Sequence, residues 1–317
     1  MISEETVLIL GAGASKPYGF PTARELRKDI IFNTIPLLKK YAADNRPSKD
    51  FENHPYIKKV KDFIEIFKNS STSSIDLFLS RNKDYYSIGK EIITLLLSNN
   101  EIESKFREEI KNKENDWYFY FYEALTKDII KSEDISKLKE NKVSIITFNY
   151  DRSLEHFIYE SLLNSFRNKS NEIQEFMSTF KFIHVYGKLA PLPWESIPES
   201  EKYGSIYLRD YYANYSKNLQ IIYEERKTKT EEIIEIVKKA KKIFFLGFGY
   251  AEENLTAIGF DQPILAKEQR IYGTAFGLTD QEILKHAFKL RGKNNHMMIE
   301  KFHLLNCDSL MLLRNNF

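Results

Sequence analysis

Five short apolar runs set the terms on which this chain can fold. They are TVLIL (6–10), VSIITF (143–148), FKFIHVY (180–186), KIFFLGF (242–248) and RIYGTAF (270–276). None shows the strict alternation of a strand with one wet face. Each therefore predicts a strand buried on both faces, as in a parallel sheet. Helical patterns lie between them. Strands alternating with helices predict an α/β fold, with a doubly wound, mostly parallel, Rossmann-like sheet. Ligands of such sheets bind outside the carboxyl ends of the strands, so the residues that terminate the runs are the candidate site.

The first two runs lie far apart. Residues 36–135 between them are mostly helical in pattern, as in IKKVKDFIEIFK and DWYFYFYEALTKDII. That is too long for one crossover helix. It predicts a helical insertion over 36–135, after the first βα unit, with 1–35 and 136–317 forming the sheet domain. The aromatic run WYFYFYEAL (117–125) reads as the core of an insertion helix, or alternatively as a partner or oligomer surface. NSSTSS (69–74) reads as a loop with Ser or Thr caps.

Composition narrows the function classes. The chain has 317 residues, 42% of them hydrophobic, enough for one large domain with an insertion or for two domains. A formal net charge of +2 calls for neither nucleic acid nor an anionic membrane. KKAKK (238–242) is expected to be a solvated helix end. The single cysteine, Cys307, excludes a disulfide framework or a multi-cysteine zinc site within the chain, and is expected to be a small buried apolar residue. Glu4, Glu5 and an apolar run that stops at Gly11 resemble neither a signal peptide nor a spanning helix. The expectation is a cytoplasmic protein with no membrane partner.

The first run ends in Gly11-Ala12-Gly13-Ala14-Ser15. A strand, small residues and then a helix put free backbone N–H groups and the positive end of a helix dipole at one point. That point suits a phosphate, although a tight turn explains the same residues. A Rossmann fingerprint needs a third glycine where Lys16 stands. Three residues later comes Gly19-Phe20-Pro21-Thr22-Ala23-Arg24. Here the sequence resembles the SIR2 (sirtuin) family, whose NAD loop reads GAGIS, three residues, then GIPDFR. Gly19, Pro21 and Arg24 match in register, while Thr22 and Ala23 replace the family's Asp and Phe.

Three later segments follow the family's order. Thr147-Phe148-Asn149-Tyr150-Asp151 resembles TQNID, with Asn149 and Asp151 matching and Phe148 replacing the Gln. His184-Val185-Tyr186-Gly187 resembles the strand-ending HG, in the HxYG form seen in diverged bacterial SIR2-like proteins. Side chains two apart on a strand point the same way, so His184 and Tyr186 are both expected to face the ribose. Gly247-Phe248-Gly249 through Asn254 resembles the segment that lines the phosphate and adenosine ribose, and Gly273 to Gly277 would stand at the adenine end.

The resemblance implies a site. NAD would meet Gly11, Ala12, Gly13, Ala14 and Ser15; Gly19, Phe20, Pro21, Thr22 and Arg24; Thr147 and Phe148; Tyr186 and Gly187; and Gly247, Phe248, Gly249 and Asn254. Asn149 would orient a water or the ribose, His184 would be general base or a ribose-hydroxyl contact, and Asp151 would stabilise positive charge or bind a ribose hydroxyl. Capping roles for Asn149 or Asp151, and a core role for His184, remain the structural alternatives. LAPLPWESIPES (189–200) is either a lid or an ordinary surface loop.

Protein-deacylating sirtuins carry four zinc-binding cysteines, which one cysteine cannot supply. The resemblance therefore implies the zinc-free branch, NAD+ hydrolases of bacterial antiphage defence, with NAD+ as substrate and no metal. The alternatives are an NAD or ADP-ribose sensor without turnover, or an ADP-ribosyltransferase. A family-level expectation follows for control: a homo-oligomer, or a separate activator such as an Argonaute or a HerA-like ATPase.

Overall fold

The computed structural model describes residues 1–45, 50–72, 74–101, 116–208, 212–221 and 230–317. Parts of the expected insertion (46–49 and 102–115) and Ser73 of the NSSTSS loop lie outside the described residues. Six parallel strands form one sheet: β1 (Thr6–Leu10), β2 (Val143–Thr147), β3 (Phe182–His184), β4 (Lys242–Leu246), β5 (Arg270–Thr274) and β6 (Phe302–Leu305). Their order is β3-β2-β1-β4-β5-β6. This is a Rossmann-like α/β fold, and its order reverses between β1 and β4, the switch point beside which such sheets bind ligands.

The unbroken apolar runs have a simple cause. Leu8 and Leu10 join one buried cluster and Val7 and Ile9 another, on opposite faces. Ile145 and Ile146 divide in the same way, as do Phe244 and Phe245. Each fully buried Leu, Ile or Phe contributes about 1.5–3 kcal/mol, so neither face tolerates a polar strand residue cheaply. Helices cover both faces. Thr230–Lys239, Glu252–Ala257 and Asp280–Arg291 supply the second cluster. The first draws on Trp117–Thr126, Ser153–Ser165, Ser170–Thr179 and Ser309–Asn316.

Between β1 and β2 the described elements are all helical, and their apolar faces are continuous with the sheet. Phe63, Ile93 and Trp117 belong to the same cluster as Leu8 and Ile145. In the aromatic run, Trp117, Tyr118, Phe121 and Leu125 face inward. Phe121 packs on Phe317 at 6.0 Å and Tyr118 on Phe157 at 5.6 Å, which is the core reading of this segment. Ser74 accepts from the Leu77 N–H and starts the helix Ile75–Arg81. Among the described residues, no helix is long and apolar enough to cross a membrane.

Three expectations need correction. β3 is three residues long rather than seven, because Phe180 caps the preceding helix Ser170–Thr179 at one end and the chain turns at Gly187, where φ is +78°, at the other. β6 was not anticipated: its side chains alternate buried and exposed at the sheet edge, so it lacks the unbroken apolar signal. Cys307 is half-buried rather than buried.

Candidate functional site

Register gathers the candidate residues. Leu10 pairs with Thr147 and with Leu246, and Thr147 pairs with His184. Four strands therefore end in one row. The residues that follow, Gly11, Phe148, Val185 and Gly247, emerge side by side at the carboxyl edge.

At the switch point the two glycine segments touch. Gly11 donates to the Leu246 carbonyl and Gly13 to the Gly247 carbonyl, each at 3.0 Å. A Cβ on Gly247 would lie 2.0 Å from the Ala14 nitrogen and 2.2 Å from the Gly13 carbonyl carbon, and φ there is +57°. A Cβ on Gly11 would lie 2.5 Å from the Gly247 oxygen. These glycines are thus required by a backbone crossing. The amides of Gly11, Gly13 and Ala14 already have protein acceptors. The helix after β1, Ala12–Ser15, has only four residues. Both facts make the loop a poorer phosphate cradle than a long Rossmann helix supplies.

The spacer between the two motif blocks is an anchor. Lys16–Tyr18 forms a 3₁₀ turn and buries Tyr18. The Tyr18 hydroxyl donates to Asp116 and accepts from the Tyr118 N–H, both at 2.8 Å, and its ring stacks on Tyr118 at 3.4 Å. Trp117 Nε1 donates to the Ala14 carbonyl at 2.8 Å. The helix Trp117–Thr126 therefore holds the loop from behind. In the second block, Gly19 takes φ +86°, and Thr22 caps the helix Ala23–Phe32 in a reciprocal pair with Glu25. Lys16, at 2.8 Å, and Thr22 hold the Glu25 carboxyl down at about 2. Arg24 lies exposed on that helix. Gly19, Phe20 and Pro21 line an open cleft of about 700 Å³ with Lys16, Leu96 and Asn99.

Asn149 bridges strand ends. Its Nδ2 donates to the Gly11 carbonyl (3.0 Å) and to Ser15 Oγ (2.9 Å), and its N–H donates to Thr147 Oγ1 (3.0 Å). Asp151 is buried, and its Oδ1 accepts from the Ser153 N–H (3.1 Å) and from the Ser153 hydroxyl, a local turn just before the helix Ser153–Ser165, whose N-cap is Arg152. Burial pushes the Asp151 carboxyl up, against the pull of hydrogen bonds from Ser153 and Ser15. Ser153 Oγ also meets Tyr118 OH at 2.7 Å. Ser15, Tyr118, Thr147, Asn149, Asp151 and Glu155 line a cavity of about 10 Å³, the scale of a single water.

His184 and Tyr186 do not share an outlook. His184 Nδ1 lies 2.8 Å from the Asn149 carbonyl and Nε2 lies 3.0 Å from Glu155 Oε2. Both ring nitrogens face acceptors. Val185 and Tyr186 turn into the opposite apolar cluster, because strand alternation ends with β3. The Tyr186 hydroxyl donates to Asn254 Oδ1 at 3.0 Å, and its ring packs on Phe148, which packs on Phe248. Gly187 is fixed by its neighbour: a Cβ there would lie 2.0 Å from the Asn218 carbonyl oxygen. Gly249 is exposed and has no such constraint. Gly273 makes room for the Tyr250 hydroxyl, which donates to the Thr274 carbonyl at 2.9 Å. Tyr250 itself sits at φ +53°, a strained position for a bulky residue.

Charged residues outside the motifs complete the site. Glu155 is buried and accepts from both His184 and, at 3.0 Å, Lys188 Nζ. Burial alone would raise the Glu155 carboxyl; Lys188 and His184 instead hold it at about 2. Arg152, fully buried, pairs with Glu101 at 2.9 and 2.5 Å. It also donates to the carbonyls of Ala190 and Glu201. The 189–200 segment is therefore pinned, with Leu189, Ala190, Leu192 and Trp194 buried. Comparison with protein-family models finds no match for this chain, and comparison with curated proteins finds none.

Proposed function

We propose that this chain is an NAD+ hydrolase with a SIR2-like site. One observation carries the proposal: Ser15, Asn149 and Asp151, from two strand ends, line a cavity of about 10 Å³, and His184, from a third, bonds the Asn149 carbonyl behind it. Hydrolysis of NAD+ needs little more than a held ribose and one water. The C1′–N bond breaks, its electron pair neutralises the pyridinium, and a water oxygen forms the new bond to C1′. The water proton leaves to a base, giving nicotinamide and ADP-ribose. The leaving group is already activated, so orientation and exclusion of bulk water do most of the catalysis. Asn149 orients the water or ribose, Asp151 faces developing positive charge, and His184, whose ring nitrogens both face acceptors, contacts a ribose hydroxyl or takes the proton once one of those contacts opens.

The narrowness of the cavity supports a second feature. The nicotinamide ribose enters only after the strand-end loops separate, which fits control by self-assembly or by a separate activator protein, of Argonaute or HerA-like ATPase type. A second reading rests on the same geometry. With both His184 nitrogens engaged, the site binds NAD or ADP-ribose without turning it over.

Product analysis separates these. Purified protein incubated with NAD+ should release nicotinamide and ADP-ribose in equal amounts. Label retained on an acceptor would make it a transferase, and binding without release would make it a sensor. A fully active lone monomer on gel filtration would overturn control by assembly or partner.

A further inference from the structure

The chemistry around Glu155 is not accounted for by any motif. It lies in the first turn of the helix Ser153–Ser165, where a glutamate ordinarily sits in solvent beside the helix end. Here it is 3% exposed. A buried carboxylate is costly unless cations and hydrogen bonds compensate it. Two do: His184 Nε2 and Lys188 Nζ, each at 3.0 Å and on different carboxylate oxygens. Lys188 is fixed in turn by Glu195 Oε1 at 2.6 Å, and the same oxygen accepts the Leu192 N–H at 2.6 Å. The charged groups acting on His184 are thus Glu155 directly, Lys188 through it, and Asp151 nearby.

The contacts form one line. Glu155 holds Nε2 of the ring. The opposite nitrogen holds the Asn149 carbonyl at 2.8 Å, and the Asn149 amide holds Ser15 and Gly11. Rotation of the imidazole would release both of its ends. We propose that Glu155 is a positioning residue, which locks His184 against the Asn149 backbone and thereby sets the amide that orients the reacting water or ribose. Its side-chain bonds go to His184 and Lys188, and it acts through His184. This inference rests on the NAD+ hydrolase reading for its kinetic consequence, but not for the coupling itself.

The test is Glu155→Gln in the full chain, which keeps the shape and removes the charge. Two readouts are taken: steady-state nicotinamide release, and the ring-nitrogen NMR signals of His184. The expected result is a fall in kcat of about tenfold or more with KM for NAD+ changed by less than about threefold, the pattern of lost orientation rather than lost binding. The His184 signals should shift as well. Active wild type with unchanged kcat in Glu155→Gln would overturn the proposal. A wild type with no turnover would defeat the hydrolase reading alone. In that case unchanged His184 signals overturn the positioning role, and shifted signals sustain it. If Glu155→Gln does not fold, Glu155→Asp keeps the charge and withdraws the carboxylate from Nε2 of His184. It should move kcat and the His184 signals in the same directions by less, and an unaltered protein would again overturn the proposal.

Discussion

Gly247 and Gly249 stand two residues apart and obey different constraints. Gly247 combines φ +57° with a backbone crossing that leaves no room for a methyl group, whereas nothing lies within 4 Å of a Cβ on Gly249. Gly247→Ala should cost more than about 2 kcal/mol, or prevent folding, while Gly249→Ala should stay within about 0.5 kcal/mol. Urea unfolding of both variants checks this, and equal costs would contradict the crossing. Asp76 offers a pH test at the same scale. Burial raises its carboxyl to about 6, and its Oδ1 has no hydrogen-bond partner among the described residues. Between about 3.8 and 6 the folded chain holds a proton that the unfolded chain releases, so this group lowers stability as pH rises through that window. Asp76→Asn should therefore stabilise the protein at pH 7 by about 1–3 kcal/mol and have a smaller effect near pH 3. A destabilised variant at pH 7 would contradict this assignment.

At the scale of elements, the site is held by parts that carry no motif. The helix Trp117–Thr126 grips the glycine loop through Trp117 and Tyr18, and Arg152 ties the 189–202 segment to Glu101. Arg152→Met leaves a buried carboxylate uncompensated and should cost about 3–5 kcal/mol. Adding Glu101→Leu should recover most of that loss, and chemical denaturation of the pair measures it. A single-variant cost below about 1 kcal/mol would mean that Arg152 pins nothing. These supports explain what was legible in the sequence. β1, β2, β4 and β5 announced themselves because both faces are buried. β6 did not, because Phe302 and Leu304 face in while His303 and Leu305 face out. Asn149, Asp151 and His184 were singled out by resemblance to short family blocks, and they stand at neighbouring strand ends. Glu155 and Arg152 were not, since a charged residue in a helical pattern looks the same whether its partner is water or a buried ion. The one available hint was their place, next to the strand-ending Asp151.

For the whole molecule, the sheet order and register make the candidate site a consequence of the fold. Strands of matched register end together, so distant residues 11–15, 147–151 and 184 arrive at one edge. The block at Gly19 to Arg24 lies apart on its own cleft, and Tyr186 turns to the opposite face of the sheet. Fold alone does not choose a reaction, and the choice rests on what this edge does to NAD+. The most direct measurement is the rate of nicotinamide release by wild type, Asn149→Ala and His184→Ala, with thermal midpoints recorded alongside. The account predicts that wild type releases nicotinamide and that each folded variant loses most of that activity. Unchanged turnover in both variants, each as stable as wild type, would contradict it.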